Sequence, residues 1–243
     1  MSDVSAVLLS TGEPSVGRAR HAIEMQTLAA CEIVDVENVT PFHRALNEGA
    51  RKVTGDFFVQ VDADMVLDPE CFAELRYGVR ADTGIVVGEL RDPMMGQTVG
   101  VKLFRTECFA SVETVDSVSP DTDFVDSISR RGWKTVYVGR QAGSTHVTHT
   151  VGDHDPLYTP SYVMTKFLLE GARLRYRGAR GGLRWRIRRL AQSDHELAPV
   201  ALICVAHGFF SAPMHDGLVP AREHEHAIAL VRLLESSKHL QSS

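Results

Sequence analysis

The sequence predicts an α/β fold with a mostly parallel central sheet flanked by helices, followed by a C-terminal helical segment. Three observations support this prediction. Short apolar runs alternate with stretches in which apolar residues recur at helical spacing, which is the pattern of a sheet covered by helices. Up to Val61 the order is strand, helix, strand, helix, strand. After Asp155-Pro156 only helical patterns follow.

The first three strands are predicted at short apolar runs that end in turn residues: Val4 to Leu9, Glu32 to Val36 and Phe57 to Val61. Ser15 can cap the helix between the first two strands. The helix after the second strand opens at Thr40-Pro41, and its apolar residues share one face: Phe42, Ala45, Leu46, Gly49 and Val53. Asp68-Pro69 marks another helix start, with proline at the first helical position.

The later elements follow from the same patterns. Further strands are predicted at Gly84 to Leu90, Gly100 to Arg105 and Lys134 to Val138. Short helices are predicted at Thr106 to Val112 and from Asp121, which can cap the second of them. The C-terminal helices are predicted at Ser161 to Arg177, Leu183 to Gln192 and Pro220 to Leu240, with Gly178 to Gly182 as a flexible connection between the first two.

The composition is that of an ordinary globular protein. A chain of 243 residues with 44% apolar side chains can fill one α/β domain and a small appendage. The four cysteines lie far apart without a CxxC pair, which fits neither a zinc knuckle nor a disulfide framework. The N-terminus shows no secretory pattern, so we expect a cytoplasmic protein. The longest apolar stretch, Leu197 to Phe210, is shorter than the roughly 20 residues of a membrane-spanning helix.

The charges of the chain are strongly segregated. The formal net charge is −5, yet the segment from Arg173 to Arg189 holds eight arginines and no acidic residue, which leaves −13 for the rest. Such a block usually contacts an anionic partner, and a solvated basic helix face is the alternative. We favour peripheral contact with an anionic membrane or a phosphorylated acceptor. Nucleic acid is disfavoured because few aromatic residues are interleaved with the arginines.

Two aspartates follow the third strand, in the stretch FFVQVDADMVLDPE. Successive side chains of a strand point to opposite faces, so Asp62 and Asp64 are expected on the same side of the chain. Two hard oxygen donors at this spacing suit Mg²⁺ or Mn²⁺, which share their other positions with water and phosphate. A turn or a helix cap is the alternative, because aspartate favours both.

Polar residues occur at the ends of all three strands, at Ser10 to Glu13, Glu37-Asn38 and Asp62 to Asp64. Ligands of open α/β sheets bind beyond the carboxyl ends of the strands. We therefore expect these groups to face one crevice, and the sequence favours a nucleotide and metal site over simple capping.

Four stretches in order extend this interpretation: AVLLSTGEP, EIVDVENVT, FHRALNEGARKVTGDFFVQVDADMVL and DTDFVDSISRRGWKTVYVG. Over roughly Val4 to Thr150 they resemble the family 2 glycosyltransferases and their GT-A fold. The resemblance implies transfer of a sugar from a nucleoside diphosphate donor, with UDP favoured, to a sugar, lipid-linked or phosphorylated acceptor. It implies a catalytic core at 4–155 and an arginine-rich acceptor or docking segment at 156–243.

The resemblance also implies roles for the residues at the strand ends. Asp64 is expected to bind Mn²⁺ or Mg²⁺ directly. Asp62 is expected to reach the ribose of the donor or the water shell of the metal, so both aspartates belong to the metal site. Glu37 stands where the family usually has an aspartate near the base and ribose. The other donor-binding candidates are Thr11, Glu13 and Arg44.

The resemblance further implies a catalytic base and a metal-binding histidine. An inverting transfer needs a carboxylate that takes the proton of the acceptor hydroxyl. Asp121 aligns with the family's base, although Pro120 replaces the usual glutamate of that segment, and Asp123 is the second candidate. A helix cap is the alternative role of Asp121. The family often has a metal-binding histidine after the next strand, where His146 fits best and His149 second.

Three other functions stay open. VDADMVL also matches the first motif of haloacid dehalogenase-type phosphatases, in which the first aspartate, here Asp62, is a nucleophile. Those enzymes usually begin with this strand, whereas two βα units precede it here. A nucleotidyltransferase would need a glycine-rich loop after the first strand, which STGEPSVGR does not supply. The third is a protein that binds nucleotide sugar without turnover.

Overall fold

The structure is a computed structural model that describes residues 3–115, 117, 120–140, 147–156 and 158–211. The chain divides into two compact units. The first unit comprises residues 1–93, 97–115 and 120–156, and the second comprises 94–96, 116–119 and 157–243. The functional roles predicted for the two parts of the chain stay predictions.

The described residues before Pro156 form eight strands and five helices. The strands are β1 Val4–Ser10, β2 Ile33–Glu37, β3 Phe57–Asp62, β4 Met65–Leu67, β5 Thr83–Asp92, β6 Gly96–Arg105, β7 Lys134–Tyr137 and β8 Gly152–His154. The helices are α1 Val16–Glu24, α2 Phe42–Lys52, α3 Cys71–Tyr77, α4 Glu107–Ser111 and α5 Pro120–Ser129.

All eight strands belong to one sheet with the order β2-β1-β3-β6-β5-β8-β4, and β7 also pairs with β5. β1 is parallel to both β2 and β3, and β5 is parallel to β7 and β8. β3 pairs with β6, and β4 with β8, in antiparallel direction, and β6 also neighbours β5. The predicted α/β class with a mostly parallel sheet flanked by helices is therefore confirmed.

The sheet has a hydrophobic core on each face, which explains why its central strands read as continuous apolar runs. In β1, Ala6 and Leu8 join one core cluster, whereas Val7 and Leu9 join the other. Helix α2 packs very close to β1, because a Cβ atom on Gly49 would lie 2.4 Å from Val7 Cγ1. The predicted apolar face of this helix is thus the face that covers the sheet.

The second unit contains three described helices: α6 Pro160–Tyr176, α7 Arg180–Ala191 and α8 Ala198–Ser211. They share a core that includes Phe167, Leu174, Leu190 and Val205. Thr159 caps α6, since its Oγ1 accepts a hydrogen bond of 3.2 Å from the backbone N–H of Tyr162. Among the described residues, none of the helices is both long enough and apolar enough to cross a membrane.

Several predicted boundaries need correction. Helix α3 begins at Cys71 and not at Pro69, and helix α5 begins at Pro120, so that Asp121 lies inside its first turn. The predicted connection from Gly178 to Gly182 is mostly helical, because α7 already begins at Arg180. Strands β4 and β8 were not predicted, since three residues are too few for a periodic signal. The helix predicted at Pro220 to Leu240 lies outside the described residues.

Candidate functional site

The strands β1, β2 and β3 end at the same edge of the sheet. In their parallel register Leu9 is opposite Asp62 and Ser10 is opposite Glu37. The backbone N–H of Ala63 donates a 3.0 Å hydrogen bond to the carbonyl of Leu9. The structure thus brings together the three polar strand ends that the sequence singled out. Asp64 lies in a turn after β3, so turn geometry and not strand alternation orients its side chain.

Asp62 is a half-buried carboxyl group beside a second carboxyl group. Gln60 Nε2 donates a hydrogen bond of 2.8 Å to Asp62 Oδ1. Burial, and then the negative charge of Asp64, raise the pKa of Asp62 to about 6, whereas the Gln60 hydrogen bond and the charges of Lys102 and His154 act in the opposite direction. The two aspartates are therefore close enough to repel each other, as in a site that binds a cation.

The turn after β1 contributes a third carboxylate to this edge. Thr11 donates two hydrogen bonds of 2.7 Å to Glu13, one from its backbone N–H and one from its hydroxyl group. Burial acts to raise the pKa of Glu13, but the Thr11 hydrogen bonds outweigh it and the pKa is lowered. The negative charge of Asp64 also acts to raise the pKa of Glu13. The predicted donor-binding residues Thr11 and Glu13 thus lie within the electrostatic reach of the aspartate pair.

The described histidine that contacts Asp64 is His154. Its Nε2 lies 3.1 Å from Asp64 Oδ2, and its Nδ1 lies 2.6 Å from Oδ2 of Asp92, whose side chain is only 1% exposed. The antiparallel pairing of β4 with β8 causes this contact, because it puts His154 opposite Met65, the residue after Asp64. Sequence reasoning did not select His154 as a ligand, since the pairing of two three-residue strands has no sequence signature.

The structure describes one of the two predicted metal-binding histidines. His146 lies outside the described residues. His149 is half-exposed, and its Nε2 lies 2.6 Å from Glu74 Oε2 on α3. His154, and not His149, is the described histidine that lies beside Asp64, and the metal-binding roles predicted for His146 and His149 stay predictions.

Arg91 holds the strand that carries His154. Its guanidinium group donates to both oxygens of Asp153 at 2.6 and 2.9 Å, to both oxygens of Asp68 at 2.8 and 3.1 Å, and to Thr150 Oγ1 at 3.0 Å. These hydrogen bonds lower the pKa of Asp153. Because all five donors of the guanidinium group are used, Arg91 fixes β8 beside β5 and thereby the position of His154.

The candidate base Asp121 contacts a lysine that sequence reasoning missed. Lys102 Nζ lies 3.3 Å from Asp121 Oδ2 in the first turn of α5. Lys102 occurs on β6 opposite Gln60, so its side chain belongs to the strand next to β3. A lysine in an apolar strand, GVKLF, was the available signal. Asp123, the second candidate, is half-buried in the same helical turn.

Two predicted donor-binding residues are exposed. Glu37 ends β2 at the same edge, and Arg44 lies in the first turn of α2. Among the described contacts, neither side chain is joined to Asp62 or Asp64, so their roles stay predictions. Within the part of the chain that the structure describes, no group of three or more histidine, cysteine, aspartate or glutamate residues is arranged to hold a metal ion.

Comparison with known proteins agrees with the resemblance inferred above. Residues 28–115 match the model of glycosyl transferase family 2, and this segment contains the aspartate pair. Among curated proteins no sequence matches the chain. The match confirms the resemblance over that segment and supports the prediction that the chain is a glycosyltransferase.

Solved structures show the fold. A mannosyltransferase from Pyrobaculum calidifontis, in complex with GDP-Man and Mn²⁺, superposes with a TM-score of 0.53 at 14% identity, over 99% of this chain and 81% of that one. Residues 1–349 of TarS from S. aureus give a TM-score of 0.48 at 9% identity, over 86% and 72%. Glucosyl-3-phosphoglycerate synthase from Mycobacterium tuberculosis gives 0.43 at 13%, over 59% and 71%. The conclusion rests on the first of these, which confirms the GT-A fold.

Proposed function

We propose that this chain, which has a GT-A fold and carries the glycosyl transferase family 2 signature at residues 28–115, transfers a sugar from a nucleoside diphosphate donor to an acceptor hydroxyl group. The transfer uses Mn²⁺ or Mg²⁺. The observation that supports this most is the contact of Asp64 with His154 beside Asp62, at the edge where β1, β2 and β3 end. Ligands of open α/β sheets bind at this edge.

The strand ends form the donor site in this proposal. Thr11, Glu13 and Glu37 line the nucleoside slot, since Thr11 and Glu13 follow β1 and Glu37 ends β2, the neighbouring strand. Asp62 accepts a hydrogen bond from the ribose or from water bound to the metal. Arg44, in the first turn of α2, contacts the diphosphate in this proposal. Its guanidinium group would counter the two negative charges of the diphosphate.

Asp64 and His154 are the protein ligands of the cation in this proposal. Buried Asp92 holds the proton on Nδ1 of His154, so Nε2 presents its lone pair to Asp64. His154 Nε2 and Asp64 Oδ2 would then be two hydrogen-bond acceptors 3.1 Å apart. Such a contact is favourable only when a proton or a cation lies between the two atoms. A carboxylate beside an imidazole nitrogen is a ligand pair that would suit Mn²⁺ or Mg²⁺, so Asp64 and His154 would hold such an ion between them. When bound, it stabilises the charge of the leaving diphosphate.

Asp121 is the base in this proposal, with Asp123 as the second candidate. Its carboxylate takes the proton of the acceptor hydroxyl group while that oxygen bonds to the anomeric carbon. The bond from this carbon to the diphosphate breaks at the same time, and the diphosphate leaves with the electron pair. This sequence of events inverts the configuration of the sugar. Lys102 holds the carboxylate of Asp121 in place.

UDP is our preferred donor nucleotide, because the family resemblance favours it. The Pyrobaculum calidifontis enzyme was solved with GDP-Man, so GDP-linked sugars belong in the same screen. The acceptor carries a sugar, a lipid-linked group or a phosphate in this proposal.

A thermal-shift panel of UDP- and GDP-linked sugars, with and without Mn²⁺, tests the proposal. A donor at about 100 times its Kd stabilises the native state by about 2.7 kcal/mol. We expect a UDP-linked donor to raise the Tm only when Mn²⁺ is present, and Asp64→Asn to abolish that rise. Asp194→Asn, which removes the same charge at an exposed position after α7, is the matched control and keeps the rise.

Three results would contradict the proposal. A rise in Tm of equal size without metal would remove the role of Asp64 and His154. Release of phosphate from small phosphoesters without binding of nucleotide sugars would favour the phosphatase, in which Asp62 is the nucleophile. Against that alternative, the strand that carries Asp62 is the third in the chain and lies within the matched segment. Donor binding without transfer to any acceptor would favour a binding protein.

A further inference from the structure

Helix α7 has one face formed by exposed arginines. Arg180, Arg184 and Arg188 occur at intervals of four residues, so they follow one side of the helix, and all three are exposed. Leu183 and Leu190 lie on the other side and are buried in the core of the second unit. The helix is therefore amphipathic, with an unusually basic outer face.

Trp185 borders this arginine face. Its side chain is 40% exposed, although tryptophan normally buries most of its large apolar surface. The guanidinium groups of Arg186 and Arg189 lie 5.3 and 5.7 Å from its ring centroid, so cations surround the indole ring. An indole next to arginines at the protein surface is the composition of helices that lie at the boundary between water and lipid.

Among residues 158–211, the C-terminal stretch that the structure describes, acidic side chains are few. Residues 158–211 include nine basic and three acidic side chains, and none of the acidic ones belongs to α7. Glu170 on α6 forms ion pairs with Arg186 and Arg173, which are not part of the face. The charges of Arg180, Arg184 and Arg188 are thus directed to solvent, and a partner that complements them must be anionic.

We propose that the arginine face, Arg180, Arg184 and Arg188 with Trp185 at its border, docks the protein on a surface of anionic phospholipids. The three arginines span about 12 Å along a straight helix, which suits the phosphates of a flat lipid surface. Guanidinium groups bind phosphate through paired hydrogen bonds. Nucleic acid fits less well, because one tryptophan does not provide the series of aromatic side chains on which bases stack.

This inference does not depend on the proposed donor site, since it uses no residue of that site. The test is sedimentation of the purified protein with vesicles of phosphatidylcholine alone and of phosphatidylcholine with phosphatidylglycerol. We expect binding to the anionic vesicles alone, and weaker binding as NaCl increases. The variant Arg180→Gln/Arg184→Gln/Arg188→Gln removes three positive charges. Each arginine near an anionic surface strengthens binding about fivefold, so we expect the partition coefficient to fall about a hundredfold.

The matched control is the triple variant Arg51→Gln/Arg130→Gln/Arg131→Gln, which changes the net charge equally at exposed positions of the first unit. It is expected to bind as the wild type does. In a Trp133→Phe background Trp185 is the single tryptophan, and its emission should shift to shorter wavelength with anionic vesicles. Equal losses in both triple variants, no vesicle binding by the wild type, or binding to RNA without binding to vesicles would each overturn the inference.

Discussion

Lys102 Nζ lies 3.3 Å from Asp121 Oδ2, and the lysine side chain is only 11% exposed. Lys102 is opposite Gln60 in the pairing of β6 with β3, so this cation stands between the candidate base and the strand that ends at Asp62. Burial and Asp64 raise the pKa of Asp62, and the charge of Lys102 acts against both. One buried lysine thus interacts with two of the predicted functional carboxylates, Asp121 and Asp62, and an unpaired ammonium group there would be costly.

Replacing Lys102 tests whether the ion pair of Lys102 with Asp121 contributes to stability and activity. Lys102→Met keeps much of the side-chain volume but removes the charge, so we expect a loss of about 1–3 kcal/mol in the free energy of unfolding, because the ion pair with Asp121 is lost. Transferase activity should fall at least tenfold. The measurements are urea denaturation and turnover with the donor identified by thermal shift. In the double variant Lys102→Met/Asp121→Asn stability should recover while activity stays low. Two additive stability losses would show that the pair is not coupled.

His154 is predicted to bind the metal with support from Asp92. His154→Gln should weaken Mn²⁺ binding by about 10- to 100-fold, and Asp92→Asn should have an effect in the same range, because outer partners of a ligating histidine orient it. Calorimetric titration with Mn²⁺ in the presence of UDP measures this directly, without turnover. His149→Gln is the control and should bind Mn²⁺ as the wild type does, since His149 contacts Glu74. The reverse ranking of the two histidines would refute the assignment.

Glu32 holds the loop before β3 through hydrogen bonds. Its carboxylate accepts from the backbone N–H of Thr54 at 2.5 Å, from the Thr54 hydroxyl group at 2.8 Å and from buried Ser5 Oγ at 2.7 Å. The backbone N–H of Thr54 is the largest cause of a lowered pKa of Glu32, followed by burial, which acts in the opposite direction. The carboxylate form is therefore the one that stabilises the native state.

The pH dependence follows from the sign of this shift. A carboxyl group whose pKa is lower in the folded state contributes stability above its unfolded pKa of about 4.3, and this stability is lost as the pH falls through the folded pKa. At pH 7, Glu32→Gln should lower the free energy of unfolding by about 1–2 kcal/mol. Thermal unfolding from pH 7 to pH 3 should show the difference from the wild type shrinking below about pH 4. A constant difference over this range would contradict the prediction.

Two glycines at the contact of α6 with α8 are predicted to be necessary for the packing of these helices. A Cβ atom on Gly208 would lie 2.1 Å from the carbonyl oxygen of Leu168, and one on Gly171 would lie 2.1 Å from the carbonyl oxygen of Val205. Backbone atoms cannot give way as side chains do, so Gly208→Ala should destabilise by at least about 2 kcal/mol. Circular dichroism during heating measures the change.

Gly181→Ala is the control for this substitution. Gly181 also lies in a helix, but an added Cβ atom would meet nothing within 4 Å. Because alanine favours the helical state over glycine, this variant should gain about 0.5–1 kcal/mol. Equal losses for Gly181→Ala and Gly208→Ala would mean that helix packing is not the cause.

The sequence by itself determined the fold class and most of its elements. The apolar runs of β1 and β3 and the helical spacing in α2 are strong local signals, because each element must bury one face against the same core. The glycines and prolines at their ends mark the turns. The convergence of Ser10 to Glu13, Glu37 and Asp62 at one edge also followed from the sequence, since parallel strands joined by helices end on the same side.

The tertiary structure alone decided which distant side chains contact the candidate site residues. His154 reaches Asp64 because β4 and β8 pair over three residues, and Lys102 reaches Asp121 because β6 lies next to β3 in the order of the sheet. Such contacts join residues far apart in the chain, and local sequence patterns carry no information on the pairing of short strands. The physical reason is that periodicity reports which face of an element is buried, whereas strand order and register are properties of the whole packed core.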